Sequence, residues 1–191
     1  MIEIKFNLKG DKMKLFLIFL FMAVSSACAA YAQDENNTPE EKDSLAIGMT
    51  APDFTLQDAS GNEFTLSSYK DKSPVVVYFY PKANTSGCTK QACGIRDSWS
   101  KFEKNNIKVL GISTDTKEEI ESFVENYHLN FPLLSDADKT VSRAYNVLKE
   151  SGTDKRVTFV IDKEGIIRDI IEVNDIENHA DKVFALAVEL K

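Results

Sequence analysis

Two cysteines, Cys88 and Cys93, are the residues of this chain whose type and spacing can do chemistry. A thiol reacts as its thiolate. One with the pKa of free cysteine, ~8.5, is about 3% ionised at pH 7, so full ionisation gains only about thirtyfold. Enzymes typically need ~10⁶-fold or more, so neighbouring groups must hold the second reactant and stabilise charge moving onto its leaving atom. Cys88 stands where helical spacing begins, near backbone N–H groups without intrahelical partners and the positive end of a helix dipole, and both favour the thiolate. Cys93 follows five residues on. In an intact helix that separation means ~7.5 Å of rise and about 140° of rotation, hence Cα atoms ~8.7 Å apart, whereas a disulfide needs less than ~7 Å. If the two thiols bond, the first turns of the helix must unwind. On the cysteines alone, a structural disulfide in an exported protein stands beside the reactive-thiol reading.

The elements that position these thiols are legible on either side of them. Val75 to Tyr80 is β-branched and aromatic without interruption, which suits a strand buried on both faces. Pro81 ends it, because proline cannot donate to a strand ladder. Thr85, Ser86 and Gly87 offer capping side chains and a permissive backbone, and Ala92, Ile95, Trp99 and Phe102 then recur at helical spacing from Thr89 to Lys104. Arg156 opens a later apolar strand, Arg156 to Asp162, where by position alone it reads equally well as an exposed strand-end cation.

Pro81-x-x-x-Thr85-x-x-Cys88 followed by Thr89-x-Gln91-Ala92-Cys93 resembles the active site of peroxiredoxins of the bacterioferritin-comigratory or Q type. The opening run Gly48-x-x-Ala51-Pro52-Asp53-Phe54 is similar to their amino terminus, and the resemblance runs from about Ile47 onward. It implies a thioredoxin-like fold and a peroxidase acting on hydrogen peroxide and organic hydroperoxides. Cys88 is then the peroxidatic and Cys93 the resolving cysteine, joined as a Cys88–Cys93 disulfide during turnover. By the same resemblance Arg156 stabilises the thiolate, Thr85 and Gly87 help bind the peroxide, and Pro81 shields the sulfur. A thioredoxin or thioredoxin-like protein supplies the reducing dithiol. Ser86 departs from the pattern, standing where many such proteins have proline. The second function kept open is an exported thioredoxin-like thiol-disulfide oxidoreductase, although those space their cysteines by two residues rather than four.

The rest of the chain frames this reading. Its 191 residues, 43% hydrophobic, suffice for one packed domain, and a net charge of −7 argues against nucleic acid as a partner. Lys12 to Lys14, an apolar run Leu15–Val24 and an Ala30-x-Ala32 site read as a signal peptide over 1–32, too short to be an integral membrane span. Glu3 and Asp11 sit badly in such a leader and make Met13 an alternative start. Export, in a bacterium to the periplasm, is expected, with lipid anchoring through Cys28 the alternative. Residues 33–46 are mainly polar and read as a tether, and 47–191 as the domain, monomeric or weakly dimeric. His128 and His179 occur singly on helical segments and read as surface or core histidines, so neither a metal nor a cofactor is expected.

Within the domain, Phe54–Leu56 and Glu63–Leu66 around Gly61-Asn62 suggest a hairpin. Ile107 to Ile112 is a second buried strand. The loop after it reads as a Thr116-to-Glu119 capping box before a helix burying Ile120, Phe123, Val124 and Tyr127. An extended segment after Pro132, a short helix through Val141 and Tyr145, the strand after Arg156, a strand over Ile166–Val173 and a helix over Ile176–Leu190 complete the series. Its order suits an α/β fold: a thioredoxin-like mixed sheet with flanking helices and an added N-terminal β-hairpin.

Overall fold

The computed structural model describes residues 44–191. The expected signal peptide, the alternative start at Met13, Cys28 and all but the end of the expected tether lie outside the described residues.

The uninterrupted apolar run becomes strand β3 (Val75–Phe79), every residue of which is buried. Because side chains alternate across a strand, Val76 and Tyr78 join one core cluster while Val75, Val77 and Phe79 join another on the opposite face. Strand β4 (Lys108–Ser113) pairs parallel to β3, and β6 (Val157–Ile161) pairs antiparallel on the other side. The hairpin strands β1 (Thr55–Asp58) and β2 (Glu63–Thr65) pair with each other, and β1 adds to β5 (Leu133–Ser135). With β7 (Ile167–Glu172) beside β6, the mixed sheet has seven strands in the order β2-β1-β5-β4-β3-β6-β7.

Helices cover both faces. Helix α1 (Ser86–Lys104), α2 (Lys117–Tyr127) and α4 (His179–Val188) contribute Ile95, Ile120 and Val183 to the cluster around Tyr78. The short α3 (Thr140–Ala144) adds Val141 to the other cluster. Helix α2 begins with the capping box read from sequence: Thr116 Oγ1 accepts from Glu119 N, and the Glu119 side chain accepts from Thr116 N. Gly111 in β4 marks a close approach, since a Cβ there would lie 2.5 Å from Leu133 Cδ2 and 2.7 Å from the Tyr78 ring.

Two helix starts differ from those read in sequence. Helix α1 starts at Ser86, earlier than the apolar spacing alone places it, because Thr89 N already bonds to Thr85 O at 2.8 Å. The last helix starts at His179, not Ile176, because Asp175 accepts from both the backbone and the side chain of Asn178 and holds a turn there. Among the described residues, no helix is long and apolar enough to cross a membrane, and no group of three His, Cys, Asp or Glu is placed to hold a metal ion.

Candidate active site

The segment between β3 and α1 is held by its neighbours before it presents anything. Tyr80 N bonds to Ile112 O and continues the β3–β4 ladder by one residue, and Pro81 then stands half-buried where the strand ends. Asp115, buried at the end of β4, accepts from Ala83 N at 2.7 Å, from Lys82 Nζ at 2.8 Å and from Ser113 Oγ at 2.9 Å. Lys82 also reaches Glu119, the capping residue of α2. Asn84 takes the left-handed conformation at φ 59°, which asparagine tolerates, and its Oδ1 accepts from Asn126 Nδ2. The loop is thereby fixed to β4 and α2.

Thr85 occupies the N-cap of α1, but its side chain does not cap the helix. Its hydroxyl donates back to Lys82 O at 2.9 Å. The capping role expected for it is thus replaced by loop closure, and the N–H groups of the first turn carry no side-chain cap.

Cys88 is the third helical residue and only 2% exposed. Arg156, at the entrance of β6, turns its guanidinium onto this turn: one terminal nitrogen donates to Cys88 Sγ at 3.2 Å and the other to Gln91 Oε1 at 2.5 Å. Gly87 makes room for it, since a Cβ there would sit 3.2 Å from the same guanidinium nitrogen and 3.4 Å from Ile176 Cδ1. Cys88, Gly87 and Arg156 are therefore brought into contact. Thr85 and Pro81 share their loop, with the Thr85 hydroxyl bound to Lys82 rather than directed as a donor at the sulfur. Cys93 lies further along the uninterrupted helix, partly buried, and both thiols are free.

Three residues here escaped the reading of the sequence. Asp115 was expected only as part of a capping loop, yet it is the anchor of the site loop. Gln91 is 1% exposed and holds Arg156 from within α1. His179 is a core histidine, as its isolation suggested, but it sits beside Gln91 and bonds to Thr158 at 2.8 Å. Burial, helped by the charges of Arg156 and Lys182, pushes its imidazole down to about 4. The signal available for Gln91 was its place in the Thr89-x-Gln91-Ala92-Cys93 pattern, which says nothing of its contact with His179.

A buried thiol at a helix start, faced by a guanidinium and backed by a second thiol in the same helix, is arranged for nucleophilic attack on an electrophile that leaves as an anion. Residues 47–170 match the AhpC/TSA family. A putative peroxiredoxin bcp from Coxiella burnetii is 42% identical over 147 residues, covering 73% of this chain and 97% of that protein. Among solved structures, peroxidoxin BcpB from Mycobacterium tuberculosis is similar with a TM-score of 0.71 and 37% identity, covering 77% of this chain and 99% of that one. The bacterioferritin comigratory protein of Xanthomonas campestris, described for alkyl peroxide reduction, is similar with a TM-score of 0.67 and 29% identity, covering 72% of this chain and 92% of that one.

Proposed function

Because the chain belongs to the AhpC/TSA family, and within it to the peroxiredoxins of the bacterioferritin-comigratory and Q type, a family of thiol peroxidases, we propose that Cys88 is its peroxidatic and Cys93 its resolving cysteine. The observation that carries this reading is the Arg156 bond to Cys88 Sγ at 3.2 Å in the first turn of α1.

That geometry supports the following reaction. The Cys88 thiolate attacks the terminal oxygen of a hydroperoxide; an S–O bond forms, the O–O bond breaks, and the leaving oxygen departs with the electron pair. It takes a proton from water to become an alcohol, or water when the substrate is hydrogen peroxide. Arg156 holds the sulfur as its thiolate and meets the charge that develops on the oxygens. Thr85, whose hydroxyl proton is committed to Lys82 O, offers Oγ1 as an acceptor for the peroxide O–H. The uncapped N–H groups near Gly87 and Cys88 donate to the peroxide oxygens, and Pro81 shields the sulfur.

The sulfenic acid left on Cys88 is then attacked by the Cys93 thiolate; the S–S bond of the Cys88–Cys93 disulfide forms, the S–O bond breaks, and the hydroxide released takes a proton from solvent to become water. Helix α1 unwinds between the two for this step, since its intact geometry keeps them ~8.7 Å apart at Cα. An external dithiol of the thioredoxin-like type reduces the disulfide by exchange. With residues 1–32 acting as a signal peptide, the enzyme works outside the cytosol, and so does its reductant. The domain acts as a monomer or weak dimer.

Stoichiometric titration of the reduced full-length chain with hydrogen peroxide and with an alkyl hydroperoxide, followed by peptide mass mapping, tests this. Wild type is expected to lose two thiols to a Cys88–Cys93 disulfide, and Cys93→Ser to stop at sulfenic acid on Cys88. If Cys88→Ser consumes peroxide as fast as wild type, the assignment fails, and exchange with protein disulfides becomes the activity to measure.

A further inference from the structure

The chain of contacts that starts at Cys88 does not end at Gln91. A guanidinium only donates, so the bond from Arg156 to Gln91 Oε1 fixes the rotation of the Gln91 amide, and Nε2 must face the other way. It faces His179, lying 3.3 Å from Nδ1 and 3.4 Å from Nε2 of the ring. An amide nitrogen also only donates, so the imidazole must accept. Thr158 Oγ1 lies 2.8 Å from Nε2. A proton on Nε2, given to Thr158, leaves the Nδ1 lone pair for Gln91, so that each ring nitrogen has one partner. The other tautomer would aim two donors, from Gln91 and Thr158, at the single lone pair of Nε2.

We propose that His179 is a positioning residue of the peroxidatic centre: held as the Nε2–H tautomer by Thr158, it orients the Gln91 amide so that its oxygen holds the Arg156 guanidinium against Cys88. Burial keeps the ring neutral, with its value pushed down to about 4, so the accepting lone pair is present at neutral pH. Without that acceptor the Gln91 amide is free to turn. Its NH₂ group would then oppose the Arg156 nitrogen, donor against donor, and the guanidinium would leave the sulfur. The docking of α4 on α1 is by this route a condition for thiol reactivity. Gln91 also lies between Cys88 and Cys93, so unwinding α1 for disulfide formation must break the same link. The inference rests on Cys88 being the reacting thiol.

The chain has only two histidines, so imidazole ¹⁵N spectra of the full-length protein, with His128→Gln for assignment, read the tautomer directly. The Nε2–H form at pH 7 is expected for His179; the Nδ1–H form overturns the proposal. This measurement needs no altered core. In a Cys93→Ser background, His179→Leu is expected to slow the reaction with peroxide at pH 7 about tenfold and to displace the pH profile of Cys88 alkylation upward by about one unit, the loss of one charge-assisted contact. His179→Asn, which keeps an acceptor near the place of Nδ1, is expected to restore the rate to within about threefold of the parent. Equal defects in the two variants, or an unchanged profile in folded His179→Leu, overturn the proposal. A Cys88→Ser control separates the two readings: if it still reacts, the assignment of Cys88 has failed, whatever His179 does.

Discussion

At the scale of single residues, the site depends on one absent side chain as much as on those present. The Arg156 guanidinium can sit against Cys88 because residue 87 has no Cβ; one added there would lie 3.2 Å from the donating nitrogen, tighter than ordinary van der Waals contact. Gly87 stands in the first turn of α1 without a positive φ, so Gly87→Ala carries no backbone strain. The expected outcome is a split: melting temperature unchanged or slightly raised, and the second-order rate with peroxide lowered about tenfold, because a displaced guanidinium gives up part of a charge-assisted bond. Stopped-flow fluorescence of Trp99, the only tryptophan, follows the reaction. An unchanged rate would mean that the Arg156 position tolerates the methyl, and that the glycine serves the helix alone. The Pro81, Thr85, Cys88 and Cys93 pattern was legible because it lies in one short segment. Gln91 and His179 were not, since they stand 88 residues apart and meet only when α4 docks.

Element by element, the sheet is the packed platform, and α1 is the part that the proposed Cys88–Cys93 disulfide requires to move. The packing is visible at Gly111, where β4 brings its backbone against the Tyr78 ring and Leu133 in the fully buried core. Gly111→Ala must push both aside and is expected to cost about 2–3 kcal/mol, read as a fall in the denaturation midpoint without a change in slope. The mobility is the counterpart. Amide exchange over 86–93 is expected to rise when the Cys88–Cys93 disulfide forms, while the amides of β3 and β4 stay protected. Equal protection of α1 in the reduced and disulfide states would contradict the unwinding step. Strand β3 and the capping box of α2 were readable from period and motif, because each is decided by residues within a few positions of itself. The start of α1 was less so: Thr85 sits at the N-cap position, but its hydroxyl closes the preceding loop, a choice set by where Lys82 O lies in three dimensions. The same holds for Asp115, whose role depends on a loop 32 residues away in sequence.

For the molecule as a whole, two buried groups give its stability opposing dependences on pH in nearly the same window. The His179 imidazole is pushed by burial from an ordinary 6.5 down to about 4, so as pH falls from 6.5 to 4 the unfolded chain takes up a proton that the folded one refuses. Stability from this residue therefore rises with pH across that range, by about 3 kcal/mol at most. Asp154 runs the other way. It is fully buried, and desolvation pushes its carboxyl from an ordinary 3.8 up to about 7, so between those values the folded chain keeps a proton that the unfolded one has lost. Stability from Asp154 falls as pH rises from 3.8 to 7, by about 4 kcal/mol at most, and its neighbours Asp136 and Asp115 add to the cost of ionising it. In wild type the two slopes largely cancel, and the cancellation is exposed by removing one of them. Asp154→Asn keeps the shape of the side chain and removes the falling slope. Urea titrations of the full-length protein from pH 4.5 to 7.5 are expected to show this variant gaining on wild type with pH, by about 3 kcal/mol across the range, because the falling slope of Asp154 is present only in wild type while that of His179 is common to both. A difference between variant and wild type that is constant with pH would mean that Asp154 ionises alike in the folded and unfolded chains, and that the acidic interior beside the site loop is stabilised by something other than a retained proton.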